Sequence, residues 1–559
     1  MKRFSIFALV KQRLPYFVAL LLLIAVSTQC AKKGSPSGGA KDTIAPNIVR
    51  TVPENFSTNF DANEIRIVFN EYIKLEELQK NLLISPPMEY PPVITPLSTS
   101  KTLKISIQDT LLENTTYSIS FGNSIVDNNE SIPFEDYKYV FSTGPYIDSL
   151  TLSGSIRDVE RPRPENPTTV ALYEITEGVT DSMVYTQKPT YVTRVKDDAD
   201  TFQFTNLKAG TYLLVALKDE AKNYTFQPKT DKIAFANSSI TLPTDSTYTL
   251  NLFKETSSFK PGNPRLAGKQ HIALGYEGDA ENLTLAMLSD VPPDFRHTSY
   301  REATKDTLHY WFKPNVVADS LVLAIANGDL RDTVSVRMKE LYRDSLEISA
   351  VNAGVQIPTD TLRLQANIPL TSVNESNITV IRGDSVSVPF RATLREKFNQ
   401  VRIAFQKEPS QAYNVSLLPG ALIDFFGATN DTLQYRVQTR ALADYGTLRL
   451  SLSNIAAFPV IVQLVDTKFN LIAQRVLSEN KPILFEYLTP AQYYVRVIFD
   501  TNENARWDTG WYLEGRQPEE IIYYPAPLEV RANWDLNETF RLTERNRDPS
   551  ETEAVPEDR

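Results

Sequence analysis

One cysteine, three histidines, four tryptophans and five methionines are all that the 559 residues contain of these types. The single cysteine, Cys30, leaves no partner for a disulfide, so no module can be stapled and each must hold by burial. His271, His297 and His309 are not spaced as in H-E-x-x-H, which excludes that zinc-protease signature. There is no G-x-S-x-G elbow and no phosphate-binding glycine loop, so the sequence signatures of α/β-hydrolases and P-loop nucleotide enzymes are missing. The 68 acidic residues leave a carboxylate pair open as a catalytic device, since such pairing is spatial. A formal charge of −10 argues against nucleic acid as a partner.

What is abundant is the composition of strands. Phenylalanine (27) and tyrosine (26) outnumber glycine (20), and the 35 prolines are spread along the chain as turns and edge strands would place them. Period-2 alternation recurs in EIRIVFNEYI (64–73), TLKISI (102–107), TYSISF (116–121) and YKYVFST (137–143), each bounded by turn residues. Only KLEELQKNLL (74–83) reads as a helix, and as one short turn. Many short alternating strands predict an all-β chain of tandem β-sandwiches, and its length demands several cores in an elongated, multi-domain arrangement.

The start of the chain sets its address. Lys2, Arg3, Lys11 and Arg13 precede an apolar run from Tyr16 to Val26, too short for a comfortable permanent span. Small and polar residues then lead to Cys30 and to the Gly/Ser/Pro strip 31–39. This layout resembles a bacterial lipoprotein signal, with a relaxed box of the kind found in Bacteroidetes, although Val26-Ser27-Thr28-Gln29 departs from the usual Leu and Gly/Ala positions. The resemblance implies that residues 1–29 are removed and that Cys30 carries the lipid that anchors the protein in the outer membrane. Loss of the four basic residues takes the net charge to about −14. Residues 30–43 are then a flexible tether. Lys32 and Lys33, in place of acidic residues, leave the face of the membrane open.

From 44 to 144 the signals come in a specific order: Pro53-Glu54-Asn55, IRIVFNEYI, LLENTTYSISFGNSIVDNNES and YVFST. This order resembles the SbsA-type bacterial Ig-like domain. Residues 145–254 contain FQFTNLKAGTYLL, which resembles the transthyretin-like or carboxypeptidase-regulatory β-sandwich. The pair then echoes itself: 346–440 reads as a degenerate Ig-like domain and 441–542 as a second transthyretin-like sandwich, with a β unit of unassigned type at 255–345 between the pairs. The tail 543–559 is charged and poor in apolar residues, which predicts disorder.

Two segments of the last module carry chemistry. In DTNENARWDTG, Asp500, Asn502, Asn504 and Asp508 occupy positions 1, 3, 5 and 9 of a calcium-loop count. Position 6 is Ala505 rather than Gly and position 12 is Trp511 rather than Glu, so an Asp/Asn hairpin turn is the competing reading of residues 500–508. Trp507, Trp511 and Tyr512 supply aromatic surface that either stacks on sugar or protein or fills a core. Asp-Ser/Thr-apolar triplets, such as Asp109-Thr110-Leu111 and Asp319-Ser320-Leu321, resemble the O-glycosylation signal of exported Bacteroidetes proteins and also suit a turn entering a strand. The expectation is a non-catalytic, lipid-anchored binding or scaffold component of an outer-membrane protein complex. The alternative is a glycan-binding surface lipoprotein that uses its C-terminal module.

Overall fold

The computed structural model describes residues 42–542 apart from 165–166, 177–180, 196–199, 303 and 343. The expected lipidation position Cys30, the expected signal, most of the expected tether and the charged tail lie outside the described residues. Within them the protein is built almost wholly from strands, and the single α-helix is the four-residue turn Leu78–Asn81, which buries nothing. The chain divides into two compact units, one ending at Tyr146 and excluding 84–87, the other holding 84–87 and everything from Ile147 onward.

In the first unit the long strand Glu64–Leu75 follows its alternation closely: Ile65, Ile67, Phe69 and Ile73 are buried while Arg66 and Asn70 face water. It pairs antiparallel with Ile48–Val52 and Ser100–Ser106, and its distal end with Ile125–Asp127. The motif residues between the strands have hydrogen-bonding reasons to be there. Asn55 Oδ1 accepts from the Phe56 and Val140 amides while its Nδ2 donates to the Lys138 carbonyl. The hydroxyl of Tyr117 accepts the Leu112 amide, closing the L-x-x-N-T-x-Y hairpin. Buried Asp127 takes the amides of Asn129, Glu130 and Ile132, and these bonds hold its carboxyl below the ordinary range against the upward pull of desolvation.

The second unit holds four sandwiches. The first and the last share one design. In the first, a large sheet runs Tyr191–Arg194, Thr169–Glu174, Gly210–Lys218, Lys232–Phe235, with Ile240–Leu242 added to Gly210–Lys218. In the last, Leu471–Leu477, Val460–Val465, Ala491–Phe499, Ile521–Tyr523 and Leu528–Val530 take the same places. The opposing small sheets match as well, each with one parallel pair: Tyr248–Leu252 on Leu150–Asp158, and Asp535–Arg541 on Gly446–Ser453. Even single residues correspond. Tyr212 and Tyr493 each donate back to the carbonyl four residues earlier, and Asn206 and Tyr487, at equal spacing before them, both take positive φ.

Between these sandwiches lies a unit with sheets around His271–Glu277 and Ser320–Asn327, and then one built on Leu362–Ala366 and Ala412–Leu417. The latter repeats the logic of the first unit: its 15-residue core draws Leu362, Leu364, Val401, Ile403, Val415 and Val437 from facing strands. In the first and last of these four sandwiches the second strand of the large sheet is buried on alternate residues and also between them. All six residues of Val460–Val465 and the first five of Thr169–Glu174 are buried. Since successive side chains point to opposite faces, each of these sheets is covered on both sides.

Candidate functional site

The loop after Ala491–Phe499 in the last sandwich, residues 500–519, holds most of the residues that the sequence singles out. Asp500 is buried and its carboxylate accepts the amides of Asn504 and Ala505 at 3.1 and 2.8 Å. Glu503 and Ala505 both have positive φ, so Ala505 takes up the left-handed turn for which a calcium loop ordinarily uses Gly at that place. Asn502 and Asn504 converge on Asp508 Oδ2 at 2.7 and 2.6 Å through their amide nitrogens. Glu519 closes the far side, accepting the Thr501 amide and hydroxyl on one oxygen and the Asp508 amide on the other. Asp500, Asn502, Asn504 and Asp508 are therefore brought together. The donor set suits a hard cation in its chemistry, but a cation there would require both amides to turn their Oδ1 atoms inward.

The equivalent loop of the first sandwich keeps the same backbone. Lys222 and Tyr224 have positive φ, and the Tyr224 amide donates to Asp219 at 2.6 Å. Burial raises the Asp219 carboxyl.

The aromatic residues of the loop serve packing more than display. Tyr512 is only 5% exposed; its ring meets Phe235 edge-on at 5.3 Å and Tyr185 at 6.1 Å, both on the 145–254 sandwich. It is thus unavailable as a stacking platform, because a neighbouring module covers it. Trp507 is half-buried, with its indole N–H on the Glu519 carbonyl, and half-buried Trp511 pairs its backbone with Arg516. The most exposed ring of this module among the described residues is Trp534, 51% accessible, with the Arg531 guanidinium 5.2 Å from its centroid. It borders an open cleft of about 310 Å³ together with Tyr487, Glu486 and Asp535.

The same loop ties sandwiches that are distant in sequence. Thr509 donates to the Lys254 carbonyl, the Tyr512 amide to Glu255, and Gln517 to the Phe235 carbonyl and the Asn237 side chain. Burial raises the Glu255 carboxyl, and the Tyr512 amide opposes that rise. Arg506 reaches Glu281 of the middle unit at 3.2 Å, and Lys397 of the following unit approaches the same carboxylate at 3.8 Å. Nothing in the spacing of residues 235, 255, 281 and 512 marks them as neighbours; their meeting is purely tertiary.

The histidines, far apart in sequence, also include a joined pair. Antiparallel pairing of His271–Glu277 with Thr307–Lys313 brings His271 Nε2 to 2.9 Å from His309 Nδ1. The alternation of TLHYWF was the one available signal, since it places His309 and Trp311 on the same face of a strand.

Residues 42–143 match the family described as Bacterial Ig-like domain. No curated protein matches the chain. Among solved structures it is similar to surface layer protein SbsC, domains 1–6, at 10% identity and a TM-score of 0.14, covering 83% of this chain and 66% of that one. A second SbsC S-layer structure is 11% identical with a TM-score of 0.14, covering 82% and 64%, so the chain spans just under two thirds of the length of both. The major pilin subunit BcpA of Bacillus cereus is 10% identical with a TM-score of 0.13, covering 70% of this chain and 99% of that one. The protein is thus an all-β, multi-sandwich chain that carries a bacterial Ig-like domain at residues 42–143.

Proposed function

We propose that the protein is a non-catalytic lipoprotein, anchored through Cys30, that serves as a binding or scaffold component of an outer-membrane protein complex. The observation that carries this reading is the docking of the 500–519 loop. Its side chains and the Tyr512 amide hold the chain's own sandwiches to one another, which gives the stiffness that a scaffold needs. The apolar run before Cys30 and the Gly/Ser/Pro tether after it supply the anchor and the reach.

The test is recovery of the tagged full-length chain from detergent-solubilised outer membranes, beside Cys30→Ala. The expected result is a stoichiometric membrane partner with the wild type that is lost with the variant. A bait recovered alone in both cases overturns the scaffold reading. It would favour the glycan alternative, whose exposed ring is Trp534 rather than Tyr512.

A resident calcium ion at Asp500, Asn502, Asn504 and Asp508 belongs to the same reading, as a stiffener of the docking loop. With about 1 mM calcium in place of a chelator, the unfolding midpoint of wild type rises by a few degrees, while Asp508→Ala does not respond. Equal wild-type midpoints in the two buffers would leave 500–508 a turn closed by its own hydrogen bonds.

A further inference from the structure

The middle unit and the unit after it meet at a small aromatic joint. Tyr300 and Trp311 from the first pack with Ile368 and Phe425 of the second, and Phe426 meets Trp311 edge-on at 6.0 Å. The Tyr300 hydroxyl donates to the Asn367 carbonyl at 2.9 Å. Lys313 donates to the Phe425 carbonyl, with its ammonium over the Phe425 ring.

Behind this joint lies a hydrogen-bonded chain. Glu302 Oε2 is 3.4 Å from His309 Nε2, and His309 Nδ1 is 2.9 Å from His271 Nε2. Both imidazoles stack on the residues that make the joint: His271 lies flat on Trp311 at 4.0 Å and 7°, and His309 on Tyr300 at 4.8 Å and 21°. The rings that carry the protons and the rings that bridge the two units therefore share faces.

We propose that the Glu302–His309–His271 chain is an acid-opened latch on the joint between the 255–345 and 346–440 units. The reason is a donor count. In the neutral pair, His309 Nε2–H faces Glu302 and its Nδ1 accepts from His271 Nε2–H. A first added proton can be kept as an imidazolium beside Glu302, with His271 changing tautomer. A second puts N–H against N–H across 2.9 Å, and one ring must leave its stack.

The surroundings resist the charge as well. Arg265 lies near both histidines and Lys305 near His309, and the carboxylate that meets the pair, Glu302, is itself ion-paired with Lys305 at 2.8 Å. Burial, then His309 and Arg265, hold His271 down at about 3. Burial also lowers His309, against the pull of Glu302. Folded values below the unfolded one of about 6.5 mean that the opened joint binds more protons. Closure is therefore fully favoured above that pH and weakens on acidification, by up to about tenfold per pH unit for each histidine.

The test is hydrogen exchange of the full chain between pH 7 and pH 4, corrected for intrinsic rates. Expected is a loss of protection confined to peptides over 271–277, 296–313, 367–370 and 422–426, with the Val460–Val465 strand of the last sandwich unchanged. His271→Gln with His309→Gln removes the second-proton conflict and flattens the response. Glu302→Gln, which removes the counter-charge without touching the stack, moves opening to a less acid pH. Equal protection of the wild-type joint at both pH values overturns the proposal, as does opening of the double variant at the wild-type pH.

Discussion

Lys232→Met lowers the stability of the 147–254 sandwich by about 3–5 kcal/mol, the range for stranding one partner of a buried ion pair. Lys232 Nζ sits 2.8 Å from Asp158 Oδ2, 3.0 Å from Asp158 Oδ1 and 2.8 Å from Glu160 Oε2. The Asp158 side chain is wholly inaccessible and that of Lys232 is 12% exposed. Asp158 ends a strand of the small sheet and Lys232 begins one of the large sheet, so the pair joins the two layers. Both groups are pulled upward. Asp158 rises because burial outweighs its cation; Lys232 rises because, although burial depresses it, two carboxylates outweigh burial.

Without the lysine, Asp158 keeps the Glu160 amide but no counter-charge. A carboxyl whose folded value is raised above the unfolded one destabilises increasingly as pH rises through that window. Lys232→Met therefore recovers stability toward pH 4, and Asp158→Asn added to it restores much of the loss at pH 7. Hydrogen exchange of the 150–158 and 232–235 strands reads this sandwich separately from the others. An undiminished Lys232→Met protein at pH 7 would show that water reaches the pair.

Tyr512→Ala releases the docking loop, at a cost of about 3 kcal/mol for a buried aromatic. The ring fills the space between Phe235 and Tyr185, and its backbone amide is committed to Glu255. The 18-residue core of the last sandwich does not include it. The expected result is faster exchange and proteolysis across 500–519 and at Phe235, with Val460–Val465 and Ala491–Phe499 still protected. Gly510→Ala reaches the same outcome by the opposite route: an added Cβ would lie 2.5 Å from the Phe253 ring and 2.8 Å from the Arg516 carbonyl. Unfolding of the whole sandwich in both variants would mean that the loop is part of its core rather than a clamp.

Local structure was legible in the chain. Alternation in EIRIVFNEYI, the turn chemistry of Asn55 and Asp127, and the spacing of Tyr212 and Tyr493 are short-range signals, set by side-chain period and by hydrogen bonds within a few residues. For the same reason the Asp/Asn loop at 500–508 was readable as one construction, with Ala505 adopting the left-handed turn its position demands.

Module packing settled which aromatics are surface. Tyr512 and Trp534 look alike in the chain, but one is covered by a sandwich some 250 residues earlier and the other borders an open cleft. The fold also decided that His271 and His309 meet nitrogen to nitrogen at 2.9 Å, because strand register, not sequence distance, sets who faces whom. Burial on both faces of Val460–Val465 belongs to the same class: the run VIVQLV is apolar enough to be covered twice, but what covers it depends on how whole modules pack.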